Sequence, residues 1–121
     1  MSKIVLTVDD SRTMRDMLRL ALTNAGFTVL QAEDGEHGLE VMRDGGPDVI
    51  VTDINMPKLD GYGFIEGVRA DPVYRATPIL VLSTESSAEK KMRAREAGAS
   101  GWIVKPFSPD KLVEAIRRVA A

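Results

Sequence analysis

Hydrophobic positions along the chain follow two alternating rhythms. Short unbroken runs are apolar on both faces, as strands buried on both sides of a sheet require: KIVLTV (3–8), FTVLQA (27–32), DVIVTD (48–53), PILVLS (78–83) and GWIVK (101–105). Between them, apolar residues recur at three- and four-residue spacing, the helical period. The first helix is expected from about Ser11, with Met14, Met17, Leu18, Ala21 and Leu22 on one buried stripe and Gly26 as its stop. The second, near residues 35–43, turns Gly38, Leu39 and Met42 inward, although two glycines lower its propensity. The third, near 61–69, buries Phe64, Ile65 and Val68, and the fourth, near 87–97, stops at Gly98. The last opens with Ser108 as N-cap and Pro109 at the first helical position, and buries Leu112, Val113, Ile116 and Val119.

Five strand–helix units predict an α/β fold: a doubly wound five-stranded parallel sheet covered by helices on both faces, with right-handed crossovers. Two strand orders are common for such sheets. Both put the ligand site at the carboxyl ends of the strands.

Composition narrows the class. The chain has 121 residues, 44% hydrophobic and 28% charged, with net charge −2. That suits one domain spanning residues 1–121. No basic excess or aromatic interleaving argues for nucleic acid. With no cysteine, disulfides and thiolate metal sites are excluded. The apolar run in MSKIVLTVDD is too short for a signal peptide or membrane span. A cytoplasmic monomer with no membrane contact is the simplest expectation. No tail or linker is visible, so an output domain is expected on another polypeptide.

The strand ends carry the chemistry. The first strand ends in Asp9-Asp10, the third in Asp53, the fourth in Ser83-Thr84 and the fifth in Lys105-Pro106. A parallel sheet brings all of them to one edge. Singly, these residues have ordinary roles: Asp10 or Ser11 can cap a helix, Asp53 and Asn55 can shape a turn, and Ser83 can bond local backbone. Together, three carboxylates at one edge repel each other and lose hydration. Lys105 offsets one charge. A hard cation with oxygen ligands, Mg²⁺, would offset the rest. Mg²⁺, a lysine and a hydroxyl around a carboxylate make up a phosphoryl-transfer apparatus, in which the carboxylate can be the nucleophile. The residues alone leave open which aspartate attacks. Centrality favours Asp53, with Asp9-Asp10 on the metal side.

The ordered set VDD (8–10), TDINMPKLDG (52–61), LSTES (82–86) and AGASGWIVKPF (97–107) resembles the response-regulator receiver domain, and within it the CheY-type single-domain regulators of bacterial two-component systems. The resemblance covers essentially the whole chain. It implies strand order 2-1-3-4-5, the flavodoxin/CheY-like arrangement. It implies that Asp53 is the phosphoacceptor, and that Asp10 and Asp53 bind Mg²⁺ through carboxylates, Asn55 through its backbone carbonyl and Asp9 through water. Ser83 is then the switch hydroxyl, and Lys105 contacts the phosphoryl group and precedes a cis proline. Trp102, where the family more often has Tyr or Phe, becomes the aromatic that turns inward. Asn55, Thr84 and Glu85 tune dephosphorylation, with a short-lived phosphate expected. A chemotaxis-type sensor histidine kinase is the implied phosphodonor.

By the same resemblance, the fourth and fifth helices and fifth strand form the output face, docking a flagellar motor switch protein. A phosphate sink or a regulator outside motility is the alternative. Lys90, Lys91, Arg93, Arg95, Lys111, Arg117 and Arg118 make that face cationic, which suits an acidic or amphipathic partner. His37 is read as exposed and unpaired. The expected protein is not an enzyme beyond its own phosphorylation and dephosphorylation. Two rivals fit less well. A flavodoxin-like FMN binder needs a Ser/Thr/Gly-rich phosphate loop where Asp9-Asp10 stand. An Asp-nucleophile phosphatase needs Asp-x-Asp after the first strand and a cap over its substrate.

Overall fold

The computed structural model describes residues 2–120. Its elements, in chain order, are β1 (Ile4–Val8), α1 (Arg12–Asn24), β2 (Thr28–Ala32), α2 (Gly35–Gly45), β3 (Val49–Thr52), α3 (Gly61–Ala70), β4 (Ile79–Ser83), α4 (Ala88–Ala97), β5 (Gly101–Val104) and α5 (Pro109–Ala120). The strands form one parallel sheet in the order β2-β1-β3-β4-β5.

Period-two alternation splits the strands between two cores. Leu6, Val8, Ile50, Ile79 and Val81 pack with Met42 of α2, Phe64, Ile65 and Val68 of α3 and Ala94 of α4. Val5, Val49, Val51, Leu80 and Leu82 pack on the other face with Leu18 and Leu22 of α1 and Leu112 and Ile116 of α5. Each fully buried aliphatic or aromatic side chain is worth about 2 kcal/mol in transfer free energy. Both faces of the sheet are thus held by apolar burial.

Several expectations are corrected at their edges. Met17 lies outside the buried stripe: it is 50% exposed, because α1 rests on Leu18 and Leu22 and turns Met17 outward beside the exposed Leu20. Strand β2 starts one residue late because the Phe27 N–H bonds Leu22 O and closes the end of α1, with Gly26 at φ +94°. Helix α2 runs two residues further than expected, since Gly46 can take the left-handed conformation (φ +58°) that ends it. Trp102 stands on an edge strand of the sheet, half-buried. His37 is half-buried, and its Nδ1 accepts the Glu33 N–H at 3.2 Å.

Candidate functional site

Two buried strands, β1 and β3, deliver the acidic edge. Asp9 follows β1 and is 1% exposed. Its N–H continues the sheet by donating to Ala32 O at 3.1 Å. Its carboxylate accepts the Ser11 N–H at 2.9 Å, and its carbonyl accepts from the Arg15 guanidinium at 2.7 Å. Ser11 rather than Asp10 caps α1, accepting the Met14 N–H at 3.2 Å. Asp10 is left exposed. Asp53 follows β3 and donates its N–H to Val8 O at 2.9 Å, while its Oδ1 accepts the Ile54 N–H at 2.7 Å.

Gly61 closes the loop after Asp53 by donating its N–H to Ile54 O at 2.8 Å. A Cβ on Gly61 would collide with Asp53 O and with Ile54, so only glycine lets α3 start this close to the acidic residue.

Carboxylate oxygens of Asp9, Asp10 and Asp53 all come within 4.8 Å of one another. Lys105 enters from the far side, after β5. Its Nζ lies 3.0 Å from Asp9 Oδ2 and 2.8 Å from Asp53 Oδ2, with its side chain 11% exposed. Its N–H is anchored to Ser83 O at 2.8 Å, and the Lys105–Pro106 peptide is cis. Burial pushes the Asp9 carboxyl above its ordinary range. The Ser11 N–H and Lys105 oppose that shift without cancelling it, and Asp53 adds to it. For Lys105, burial alone would depress the pKa, but hydrogen bonds to Asp53 and Asp9 outweigh it and raise the value.

One ammonium among three carboxylates leaves the site short of positive charge. The donors are all oxygen, from small rigid residues, without His or Cys. That donor set fits a hard divalent cation such as Mg²⁺.

Ser83 is fully buried at the end of β4. Its Oγ accepts the Glu85 N–H at 3.2 Å; a serine hydroxyl also carries one hydrogen to donate. Thr84 is exposed and Glu85 half-buried. The Trp102 indole N–H donates to Glu85 O at 2.9 Å. The Glu85 carboxyl is held below the ordinary range, first by its hydrogen bond and charge pairing with Lys90, and to a smaller degree by the Asn55 amide. Asn55 itself is exposed.

The expected cationic face is only partly free. Lys90 is paired with Glu85 at 2.9 Å, Arg93 lies over the Tyr62 ring at 4.0 Å, and Arg118 pairs with Glu114 at 3.0 Å. Arg117 points toward α1, donating to Ala25 O at 3.3 Å. Lys91, Arg95 and Lys111 remain exposed. Lys91 and Arg95 flank a hollow of about 280 Å³ between α4 and β5, floored by Ala94, Gly101 and Trp102. A larger groove of about 820 Å³ lies between α1 and α5, lined by none of the carboxylates of the acidic cluster.

Sequence reasoning missed Arg15, Arg69 and the pairing of Lys90 with Glu85. The Arg69 guanidinium donates to the carbonyls of Tyr74, Arg75, Thr77 and Gly98, tying α3 to the loop before β4 and to the end of α4.

The family model of the response regulator receiver domain matches residues 5–117. The chain belongs to this family. The receiver fold is matched nearly end to end by the crystallised chemotaxis protein CheY4 of Vibrio cholerae, with 43% identity, a TM-score of 0.95, and 98% of this chain and 99% of that one covered. The chemotaxis protein CheY of Pseudomonas aeruginosa is 36% identical over 116 residues, 95% of this chain and 94% of the relative. The sensor histidine kinase CheAY of Helicobacter pylori is 38% identical over 117 residues. That match takes in 95% of this chain, which spans 15% of the kinase's length. The receiver assignment makes the chain a two-component signalling module rather than an enzyme acting on external substrates.

Proposed function

We propose that this receiver takes a phosphoryl group from a sensor histidine kinase onto Asp53 and uses it to control a partner in chemotaxis. The observation that carries the reading is Asp53, 2.8 Å from Lys105 and within 4.8 Å of two further carboxylates, beside a buried serine strand end. An Asp53 carboxylate oxygen attacks phosphorus. The bond from phosphorus to the donor imidazole nitrogen breaks, and the imidazole leaves with that electron pair. Asp9, Asp10, Asp53 and the Asn55 carbonyl would hold Mg²⁺, which when bound neutralises charge on phosphoryl oxygens. Lys105, already on Asp53, shifts its ammonium to a phosphoryl oxygen. Ser83 donates its hydroxyl hydrogen to another.

The switch runs through Glu85. Its N–H sits on Ser83 Oγ and its carbonyl holds the Trp102 indole, so a movement of Ser83 reaches β5 through one residue. The population shift changes α4, β5 and α5. The hollow flanked by Lys91 and Arg95 suits an acidic or amphipathic segment, such as one from a flagellar motor switch protein. Asn55, two residues beyond the acceptor, and Glu85, two residues beyond the switch hydroxyl, favour a short-lived phosphate.

Beryllofluoride, a stable phosphoryl stand-in, tests the output half. With Mg²⁺ it should change Trp102 fluorescence and raise affinity for a motor-switch segment at least tenfold. Fluorescence change without any gain in affinity would reject the motor partner and leave a phosphate sink. No response of either kind would reject the switch.

A further inference from the structure

Asp10 is the least restrained member of the acidic edge. It stands exposed in the bend between β1 and α1, and its side chain has no hydrogen-bond or ion-pair partner among the described residues. Its carboxylate still comes within 4.8 Å of those of Asp9 and Asp53. Like charges at that range drive an unrestrained side chain toward solvent. The backbone of the bend must therefore aim it. Asp9 fixes that backbone twice: its N–H donates to Ala32 O at 3.1 Å, and its Oδ1 reaches past Asp10 to accept the Ser11 N–H at 2.9 Å. Arg15 supplies the third restraint. Its Nη1 donates to Asp9 O at 2.7 Å, and that oxygen belongs to the peptide joining Asp9 to Asp10. A peptide is planar, so holding its oxygen sets the direction from which Asp10 projects. Arg15 is itself pinned at its base, with its N–H on Ser11 O at 3.0 Å and its carbonyl accepting from Gln31 Nε2 of β2 at 3.0 Å.

We propose that Arg15 is a positioning residue for divalent-cation binding, holding the Asp9–Asp10 peptide so that the Asp10 carboxylate faces the other two; this role rests on the reading of the acidic edge as the Mg²⁺ site. Two effects of Arg15 on a cation have opposite signs. Its positive charge repels the cation, so deleting the charge alone should tighten binding. Deleting the guanidinium also takes the partner from the Asp9 carbonyl, in a residue only 1% exposed. A buried carbonyl is costly to leave unpaired, so the peptide turns toward another donor and Asp10 swings away. Groups that orient metal ligands without touching the metal are worth about ten- to a hundredfold in affinity. The charge effect is the smaller one, because the half-buried guanidinium is open to screening by water and salt. Positioning wins, at the low end of that range, since it governs one ligand of the set.

The test is calorimetric titration of the unphosphorylated protein with MgCl₂, with urea unfolding in EDTA as a check on the fold. Arg15→Met should bind Mg²⁺ about tenfold more weakly than wild type. Arg15→Lys keeps the charge and an ammonium donor, and should recover most of the loss. In an Asp10→Asn background Arg15→Met should change the affinity by less than about twofold, whereas a general loosening of the fold would weaken binding equally in both backgrounds. Where Arg15→Met does not fold, Gln31→Leu decides in its place: it frees the base of the same arginine without touching the carboxylates, and should weaken binding in the same direction. Unchanged or tighter binding in the deciding variant, or an equal loss with and without the Asp10 carboxylate, would overturn the role of Arg15 and leave the cation site standing. Wild-type binding no tighter than that of Asp10→Asn would overturn the cation-site reading and the role of Arg15 with it.

Discussion

Replacing Lys105 with methionine keeps most of the packed stem and removes the charge. In the structure that ammonium bridges Asp9 at 3.0 Å and Asp53 at 2.8 Å, with the three side chains 11%, 2% and 12% exposed. At an effective dielectric of about 20, each contact is worth roughly 5 kcal/mol before desolvation. Desolvation cancels much of this, and removing one partner of a buried pair costs about 3–5 kcal/mol in measured cases. Proton uptake by Asp9, whose carboxyl is already raised, relieves part of the loss. The expected deficit is about 3 kcal/mol at neutral pH in EDTA, or roughly 10 °C in Tm. A divalent cation can replace the missing charge, so Mg²⁺ at 100 times its Kd should return about 2.7 kcal/mol to the variant. Wild type should gain less, because Lys105 already neutralises Asp53. Urea unfolding of both proteins, with and without Mg²⁺, measures these differences directly. A Lys105→Met protein within about 1 kcal/mol of wild type in EDTA, or equal Mg²⁺ gains in the two, would refute the electrostatic reasoning.

Two other substitutions probe the scaffold around the site. Arg69→Met removes the donors to Gly98, Tyr74, Arg75 and Thr77, and should cost about 3 kcal/mol in urea unfolding at an unchanged m-value, with Arg69→Lys recovering little of it. Gly61→Ala drives a methyl into Asp53 O and Ile54; a loss of about 2 kcal/mol, with a shifted Asp53 amide signal by NMR, is expected.

The fold and the acidic edge were legible because both follow from rules about burial. Five doubly apolar runs can only be strands covered on both sides, and their last residues must meet at one edge. Asp9, Asp53, Ser83 and Lys105 were found that way. Met17 was misread because three- and four-residue spacing marks a stripe but not its width. The Arg69 contacts were invisible because their partners are backbone carbonyls, which leave no trace in a residue pattern. The Glu85–Lys90 pair spans five residues across a loop and a helix start, outside the three- and four-residue helical spacings at which ion pairs are sought. The cationic face was overcounted because sequence shows charge and not where a long side chain turns, as with Arg93 on Tyr62 and Arg117 on Ala25.

The central claim is that Asp53 accepts the phosphoryl group. Intact mass of the protein incubated with acetyl phosphate and Mg²⁺ addresses it most directly, with EDTA and Asp53→Asn samples alongside. One base-labile phosphoryl adduct on wild type, absent from both controls, is the predicted result. An equal adduct on Asp53→Asn would place the acceptor elsewhere. No adduct in any sample, together with Trp102 fluorescence that ignores beryllofluoride, would mean that the acidic edge does not carry a phosphoryl group at all.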